Sequence, residues 1–123
     1  FPTRRSSDLK LDRVNNHQLS NIFQRLPDAS ESEREEDLLN KGGVRISRIL
    51  SGGQTSAVYE QDEDEWVIVL VGEAEIAFPD EGGHSIALRS GDFLFLEAGR
   101  RHQVTRTSDP CLWLCVFFAP DSE

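Results

Sequence analysis

The chain has 123 residues, enough for one domain with a single modest hydrophobic core. Its 22 acidic and 13 basic residues give a formal net charge of −9. This balance argues against nucleic acid or an anionic membrane as a partner, because phosphate groups attract clusters of lysine and arginine. No apolar run approaches the roughly 20 residues that span a bilayer. We therefore expect no nucleic-acid partner and no membrane partner.

The first eight residues lack both hydrophobic periodicity and the apolar segment of a signal peptide. Because the chain also contains no methionine, we interpret residues 1–8 as a vector or assembly remnant. A native signal sequence lost or replaced here would leave no trace, so the sequence does not decide the cellular compartment. We assign residues 9–43 to an N-terminal extension and residues 44–123 to the main domain.

The N-terminal extension is predicted to be helical. Four apolar residues recur at the spacing of one helical face: Leu19, Ile22, Phe23 and Leu26. Pro27 would end this helix. Ser30 and Glu33 then have the spacing of a capping box, which predicts a second, short acidic helix. We expect this extension to pack on the outside of the main domain.

From Val44 onward, short runs of strand-forming residues alternate with glycine-rich and proline-containing turns. Eight strands are predicted, near residues 44–50, 55–61, 65–71, 73–78, 84–89, 92–97, 102–107 and 111–118. Short strands at intervals of about 8–12 residues are typical of an all-β sandwich or barrel. The main domain is therefore predicted to be an all-β jelly roll.

Two of these segments, 65–71 and 112–118, are apolar on both faces rather than alternating. One face of an antiparallel sheet normally meets water, so the outer face of these strands must be covered. The N-terminal helices or a second subunit could cover it. We predict a homodimer formed by packing one sheet against its copy.

The two cysteines, Cys111 and Cys115, are four residues apart within one predicted strand. At about 3.3 Å per residue they are separated by roughly 13 Å along one face. A disulfide requires Cα atoms within about 7 Å, so the two cannot pair with each other. We expect two buried thiols.

A strand that begins in acidic residues, together with a distant histidine, supplies the candidate site. If Val67 and Val69 face the barrel interior, alternation places Glu65 there too. The inward groups that can bind a metal are Tyr59, Gln61, Glu65 and His102. A buried carboxylate needs a partner or a cation, so this set predicts a site for one divalent metal. The alternative is a metal-free hydrogen-bonded pair of Glu65 and His102 in a polar cavity.

Other charged residues near this strand are interpreted differently. The acidic run at positions 60 and 62–64 is expected to lie in a solvated turn. Arg106 shares parity with His102, which aims it inward or at the mouth of the barrel. There it could pair with Glu65 or hold an acidic or polyhydroxy substrate. The alternative is a surface arginine at the edge of a strand. Tyr59 and Arg106 are our candidate catalytic residues.

Part of this pattern resembles the first motif of the cupin superfamily. Glu65 and Gly72 occupy the glutamate and glycine positions of that motif, with the same six-residue gap. Tyr59 and Gln61 stand where the motif has two histidines. The second motif is better kept. Gly91, Gly99 and His102 match it in register, while Glu97 replaces its proline and Arg106 its asparagine.

The resemblance covers about residues 44–118 and implies a cupin-type jelly-roll barrel of short antiparallel strands. It also implies one bound divalent transition metal. Mixed nitrogen and oxygen ligands suit iron, manganese, nickel, zinc or copper, and copper has the highest intrinsic affinity. Copper is therefore the favoured ion.

The sequence contains no nucleophile beside a histidine in motif context, no phosphate-binding glycine loop and no dinucleotide fingerprint. Chemistry would then depend on the metal. The chain is similar to compact copper-dependent cupins that oxidise cellulose. This similarity implies an oxidoreductase that cleaves cellulose or a related polysaccharide. The alternatives are a non-catalytic small-ligand or sugar-binding cupin and a metal-dependent sugar isomerase or epimerase. Polysaccharide cleavage would imply an extracellular protein; chemistry on small metabolites would imply the cytoplasm.

Overall fold

A computed structural model of the chain describes residues 19–121. The prediction of a remnant at residues 1–8, and the helical prediction for residues 9–18, lie outside this range. The described part consists of strands and turns and contains no helix, and therefore none that could cross a membrane. Its strands are β1 (Arg34–Lys41), β2 (Val44–Ser51), β3 (Val58–Tyr59), β4 (Asp64–Val71), β5 (Glu73–Phe78), β6 (His84–Arg89), β7 (Phe93–Leu96), β8 (His102–Thr107) and β9 (Cys111–Phe118).

The strands form two antiparallel sheets that pack face to face as a jelly roll. One sheet has five strands in the order β1-β2-β9-β4-β7, and the other has four in the order β3-β8-β5-β6. Between them lies the apolar core, whose largest fully buried side chains include Phe78, Ile76, Leu88 and Leu96. The predicted all-β jelly roll is confirmed. Cys111 and Cys115 are both buried and unpaired, as expected.

Strict alternation along β4 positions the candidate site. Glu65, Val67 and Val69 are buried, whereas Trp66 and Ile68 between them face outward and are partly exposed. Successive side chains of a strand point to opposite faces, so the two buried valines place the carboxylate on the inner face as well. The predicted inward orientation of Glu65 is confirmed.

The turn from β4 to β5 requires glycine at position 72. Gly72 has a φ of 92°, in the left-handed region that residues with a side chain rarely adopt. A Cβ atom added there would lie 2.5 Å from the carbonyl oxygen of Pro110, closer than van der Waals contact allows. Backbone geometry and a close approach of the chain therefore both explain this glycine.

The predicted acidic helix after Ser30 is wrong, because residues 34–41 form strand β1 instead. β1 pairs with β2 in antiparallel register, which brings Glu36 opposite Arg48. The Arg48 Nε donates a hydrogen bond to the Glu36 carboxylate at 2.7 Å. The acidic side chains that suggested an exposed helix are thus matched by basic residues of the neighbouring strand.

The helix predicted from Leu19 to Leu26 is also wrong, since this segment forms only a turn and bends. Its backbone is held by the buried guanidinium of Arg48. Arg48 donates to the carbonyl oxygens of Ile22, Gln24 and Arg25 at 2.9, 2.7 and 2.8 Å. A helix would use these carbonyls internally, whereas here a side chain satisfies them.

The outer face of the five-stranded sheet carries an apolar row that crosses every strand. The row consists of Leu39, Ile46, Val116, Trp66 and Phe95, each opposite the next. In the neighbouring row Phe93 is 63% exposed, and its ring lies 5.3 Å from that of Trp66. Exposed apolar patches of this kind mark interaction sites. The predicted homodimer stays a prediction, and this face is the surface that it would use.

Charge placed on this face is expected to prevent the predicted dimer. We expect light scattering to give twice the chain mass of 13.9 kDa for the parent and the single-chain mass for Phe93→Asp/Phe95→Asp. Ser85→Asp, at an exposed position of the four-stranded sheet, is the control and should remain dimeric. A monomeric parent would contradict the prediction.

Candidate active site in the barrel cavity

A cavity of about 190 Å³ lies between the two sheets. Its apolar wall consists of Ile49, Val67, Ile76, Leu96, Val104, Trp113, Cys115 and Phe117. Its polar lining consists of Glu33, Glu35, Arg45, Tyr59, Gln61, Glu65 and His102. Pockets for drug-sized ligands measure about 300–1,000 Å³, so this cavity suits a smaller molecule.

His102 begins β8 and presents one ring nitrogen to the cavity. Its side chain is 3% exposed, and Nδ1 lies 2.9 Å from the carbonyl oxygen of Arg100. Because a carbonyl only accepts, Nδ1 carries the proton, and Nε2 of the neutral ring keeps its lone pair. Within residues 19–121, Nε2 has no hydrogen-bond partner, although every fully buried side-chain nitrogen and oxygen there has one. Nε2 therefore reaches the space of the cavity.

Tyr59 lies beside His102 because β3 pairs with β8, with these two residues opposite each other. The ring centroids are 5.7 Å apart and the ring planes are inclined at 53°. Tyr59 is 41% exposed, which places it at the mouth of the cavity. Partial burial, followed by the nearby Glu33 carboxylate, raises the pKa of the phenol. Tyr59 thus offers a neutral hydroxyl to a ligand.

Glu65 is a buried carboxyl group without a cationic partner. Gln61 Nε2 donates to Glu65 Oε1 at 3.3 Å, and no cationic side chain of residues 19–121 forms an ion pair with it. Burial raises the pKa of Glu65, and hydrogen bonds from the Cys115 thiol and from Gln61 offset only part of this effect. Glu65 therefore binds a proton more tightly than an exposed glutamate does.

The loop that contains Gln61 and the loop that precedes His102 are joined by two hydrogen bonds. The amide of Gly99 donates to the Gln61 carbonyl at 2.7 Å, and the amide of Ala98 donates to Asp64 Oδ1 at 2.8 Å. These bonds hold the loop before β4 against the loop before β8. They position Gln61 over Glu65 and beside the histidine strand.

The structure brings four of the five predicted site residues together around one cavity: Tyr59, Gln61, Glu65 and His102. Their roles remain predictions. Arg106 is elsewhere. It is exposed, with Nη1 3.7 Å from Glu73, and does not line the cavity.

Arg106 faces neither the interior nor the cavity, because β8 contains a bulge; of the two predictions, the surface arginine is the one that the structure shows. Glu75 pairs with Arg106 while Ile76 pairs with Val104, so Thr105 is an extra residue in the ladder. One inserted residue reverses the alternation beyond it. Arg106 therefore points outward, and Thr107 is buried in its place.

Sequence reasoning missed four lining residues: Glu33, Glu35, Arg45 and Cys115. The capping-box spacing predicted a helix for the segment that contains Glu33 and Glu35, so it indicated no partner strand for them. In β2, apolar residues change from one face to the other, so the alternation did not show that Arg45 faces inward. The signal for Cys115 was present, since it shares parity with the core residues Trp113 and Phe117.

The donor set falls short of a firmly bound metal. Residues 19–121 contain no group of three or more histidine, cysteine, aspartate or glutamate side chains arranged to hold an ion. His102 Nε2 and the Glu65 carboxylate are strong donors, whereas an amide and a neutral phenol are weak ones. Catalytic zinc sites use three protein ligands. The predicted metal, with copper favoured, stays a prediction.

The raised pKa of Glu65 predicts how stability depends on pH. A carboxyl that binds its proton more tightly in the folded state stabilises that state fully below its unfolded pKa. This stabilisation is lost as the pH rises from the ordinary value of 4.5 through the folded pKa. Glu65→Gln should therefore raise the melting temperature at about pH 7, with a gain that shrinks toward about pH 4.

The melting temperatures are measured by circular dichroism across this pH range. Glu31→Gln, at an exposed position outside the cavity, is the control and should follow the parent at every pH. A gain for Glu65→Gln that is equal at both ends of the range would contradict the assignment.

Comparison with known proteins places the chain in a family. The cupin domain profile matches residues 45–117. A protein from Ralstonia eutropha JMP134, provisionally named a mannose-6-phosphate isomerase, is 34% identical. The match covers 84% of this chain and 99% of that one, with a TM-score of 0.76. The comparison with curated proteins gives no match.

Two more distant solved structures share the fold. An RmlC-like cupin from Desulfovibrio desulfuricans is 19% identical, covering 85% and 100% of the two chains at a TM-score of 0.69. A cupin superfamily protein from Desulfitobacterium hafniense DCB-2 is 21% identical, covering 84% and 99% at a TM-score of 0.65. The profile match and the identity to the Ralstonia protein show that this small single-domain chain belongs to the cupin family.

Proposed function

We propose that the protein binds a small sugar-like hydroxycarbonyl compound in the barrel cavity and isomerises it by proton transfer. The observation that carries this proposal is the shared cavity. The unpaired Glu65 carboxyl and His102 Nε2 both line one small space with an otherwise largely apolar wall.

The two groups suit the two proton transfers of an aldose–ketose isomerisation. The Glu65 carboxylate takes the proton from the carbon beside the carbonyl and returns it to the neighbouring carbon. His102 Nε2 accepts the proton of the substrate hydroxyl and delivers it to the former carbonyl oxygen. The carbonyl moves by one carbon with no net change in protons or electrons. Burial makes Glu65 a stronger base, which favours the first transfer.

The remaining polar groups suit binding of the substrate. The Tyr59 hydroxyl at the mouth and the Gln61 amide beside Glu65 can hydrogen-bond to sugar hydroxyls. An apolar wall that includes Trp113 and Phe117 lines the rest of the cavity, an arrangement that also suits a small ligand.

The comparisons support this proposal more than the copper reading. The 34% identical Ralstonia protein bears the name of a sugar-phosphate isomerase. No feature of residues 19–121 specifically favours copper-dependent cleavage of cellulose, which stays a prediction. A non-catalytic sugar-binding cupin would use the same cavity without proton transfer.

Solvent exchange tests the proposed reaction directly. Aldoses and ketoses are incubated with the protein in D₂O, and NMR measures deuterium at the carbon beside the carbonyl together with the isomer formed. Removing a general base costs about 10²–10⁴ in rate, so Glu65→Gln should lose at least about 100-fold. Glu60→Gln, an exposed carboxylate outside the cavity lining, should keep the parent rate.

An unchanged rate in Glu65→Gln would overturn the assigned base. Binding of a sugar without isotope exchange would instead establish the non-catalytic alternative. Absence of both binding and exchange across the panel would remove the proposed function.

The predicted metal site is tested separately by binding. His102→Ala removes the one imidazole of the site and should weaken Cu²⁺ binding by at least about tenfold in equilibrium dialysis. His84→Ala is the matched control, because His84 is exposed on β6 and lies outside the cavity lining. Equal affinity in His102→Ala and the parent would show that the ion binds elsewhere.

A further inference from the structure

The cavity lining includes an arginine, Arg45, that is already paired with acidic residues of this chain. Arg45 Nη1 lies 2.8 Å from Glu35 Oε2, and Nη2 lies 3.2 Å from Glu63 Oε1. Nη1 also donates to Ser47 Oγ at 3.2 Å and lies 3.7 Å from Asp37 Oδ1. The guanidinium is therefore surrounded by acceptors of this chain.

The face of the same guanidinium is also covered. Its central carbon lies 4.0 Å from the centroid of the Phe117 ring, the cross-strand neighbour of Arg45. Stacking on the ring and ion pairs at the edge hold the side chain in one place. Arg45 thus forms part of the cavity wall, with its position and its charge set by neighbours of this chain.

The charged groups that line the cavity are mostly acidic. They are the carboxyl groups of Glu33, Glu35 and Glu65 against the single guanidinium of Arg45. Glu33 accepts a hydrogen bond from Ser51 at 3.0 Å, and no cationic side chain of residues 19–121 pairs with it. A ligand inside the cavity therefore meets an excess of negative charge.

This arrangement suits one class of sugar and opposes another. A phosphate ester carries about two negative charges and is bound by arginine or lysine with free N–H donors. Arg45 is the one arginine or lysine among the described lining residues, and its charge is already matched by Glu35 and Glu63, while the lining carboxylates repel an anion. Neutral hydroxyl groups, in contrast, can use carboxylates as acceptors.

We infer that the cavity selects an uncharged polyhydroxy compound and rejects the corresponding phosphate ester, because acidic neighbours hold Arg45 away from the ligand. The inference rests on the proposed function and adds to it the charge class of the substrate. The name of the Ralstonia relative points to a phosphate ester, so the two possibilities give opposite results in one experiment.

The experiment measures dissociation constants of the parent for mannose and for mannose-6-phosphate by calorimetry or ligand-observed NMR. We expect the Kd for mannose to be at least about tenfold lower than the Kd for its 6-phosphate. This comparison needs no variant, so it does not depend on whether a mutant folds.

A double variant tests the role of the acidic neighbours. Glu35→Gln/Glu63→Gln removes both close ion pairs of Arg45 and should tighten binding of mannose-6-phosphate by at least about tenfold. The gain for mannose-6-phosphate should exceed any change in the binding of mannose, and added salt should reduce that gain. Glu36→Gln is the matched control, because Glu36 lies on the same strand but pairs with Arg48 outside the cavity.

Three outcomes would count against the inference in different ways. Tighter binding of mannose-6-phosphate by the parent would overturn it and leave the proposed isomerisation standing. An equal gain in Glu36→Gln would show that overall charge, and not Arg45, sets the preference. Failure of both compounds to bind would overturn the inference together with the sugar reading of the site.

Discussion

The antiparallel pairing of β4 with β9 positions the carboxylate side of the candidate site. It brings Glu65 opposite Phe117 and Val67 opposite Cys115 on the inner face. Phe117 is in turn opposite Arg45 of β2, so one ladder runs from the carboxylate to the charged mouth of the cavity. The same alternation turns Trp66 and its apolar row outward. A shift of one residue would exchange the two faces and abolish the cavity.

The chain differs from the first cupin motif at two positions that line the cavity. Tyr59 and Gln61 occupy the two histidine positions of the first cupin motif, and both line the cavity. A phenol and an amide are poor metal ligands but good partners for hydroxyl groups. The glutamate and the histidine of the two motifs are kept as Glu65 and His102. No cationic side chain of residues 19–121 forms an ion pair with Glu65. The site thereby combines acid–base groups with groups suited to a polyhydroxy ligand.

Turn residues and alternating hydrophobicity predicted most of the barrel. They did not predict features that depend on pairing with a distant strand. From Val44 onward, turn glycines and alternating residues predicted strands close to those observed, and parity brought Glu65 and His102 to one cavity. Strand β1 was read as a helix because its acids find their basic partners only on β2. The bulge at Thr105, which turns Arg106 outward, leaves no mark in the sequence of β8 itself. The inward orientation of Arg45 was not predicted for a similar reason, because the Phe117 ring on which it stacks lies on another strand.

The bonds from Gly99 to the Gln61 carbonyl and from Ala98 to Asp64 have a consequence for how strongly a ligand can bind. They tie the backbone of Gln61 and the start of β4 to the loop that leads to His102. One flank of the site is thus preorganised, and a bound molecule loses little affinity to ordering it.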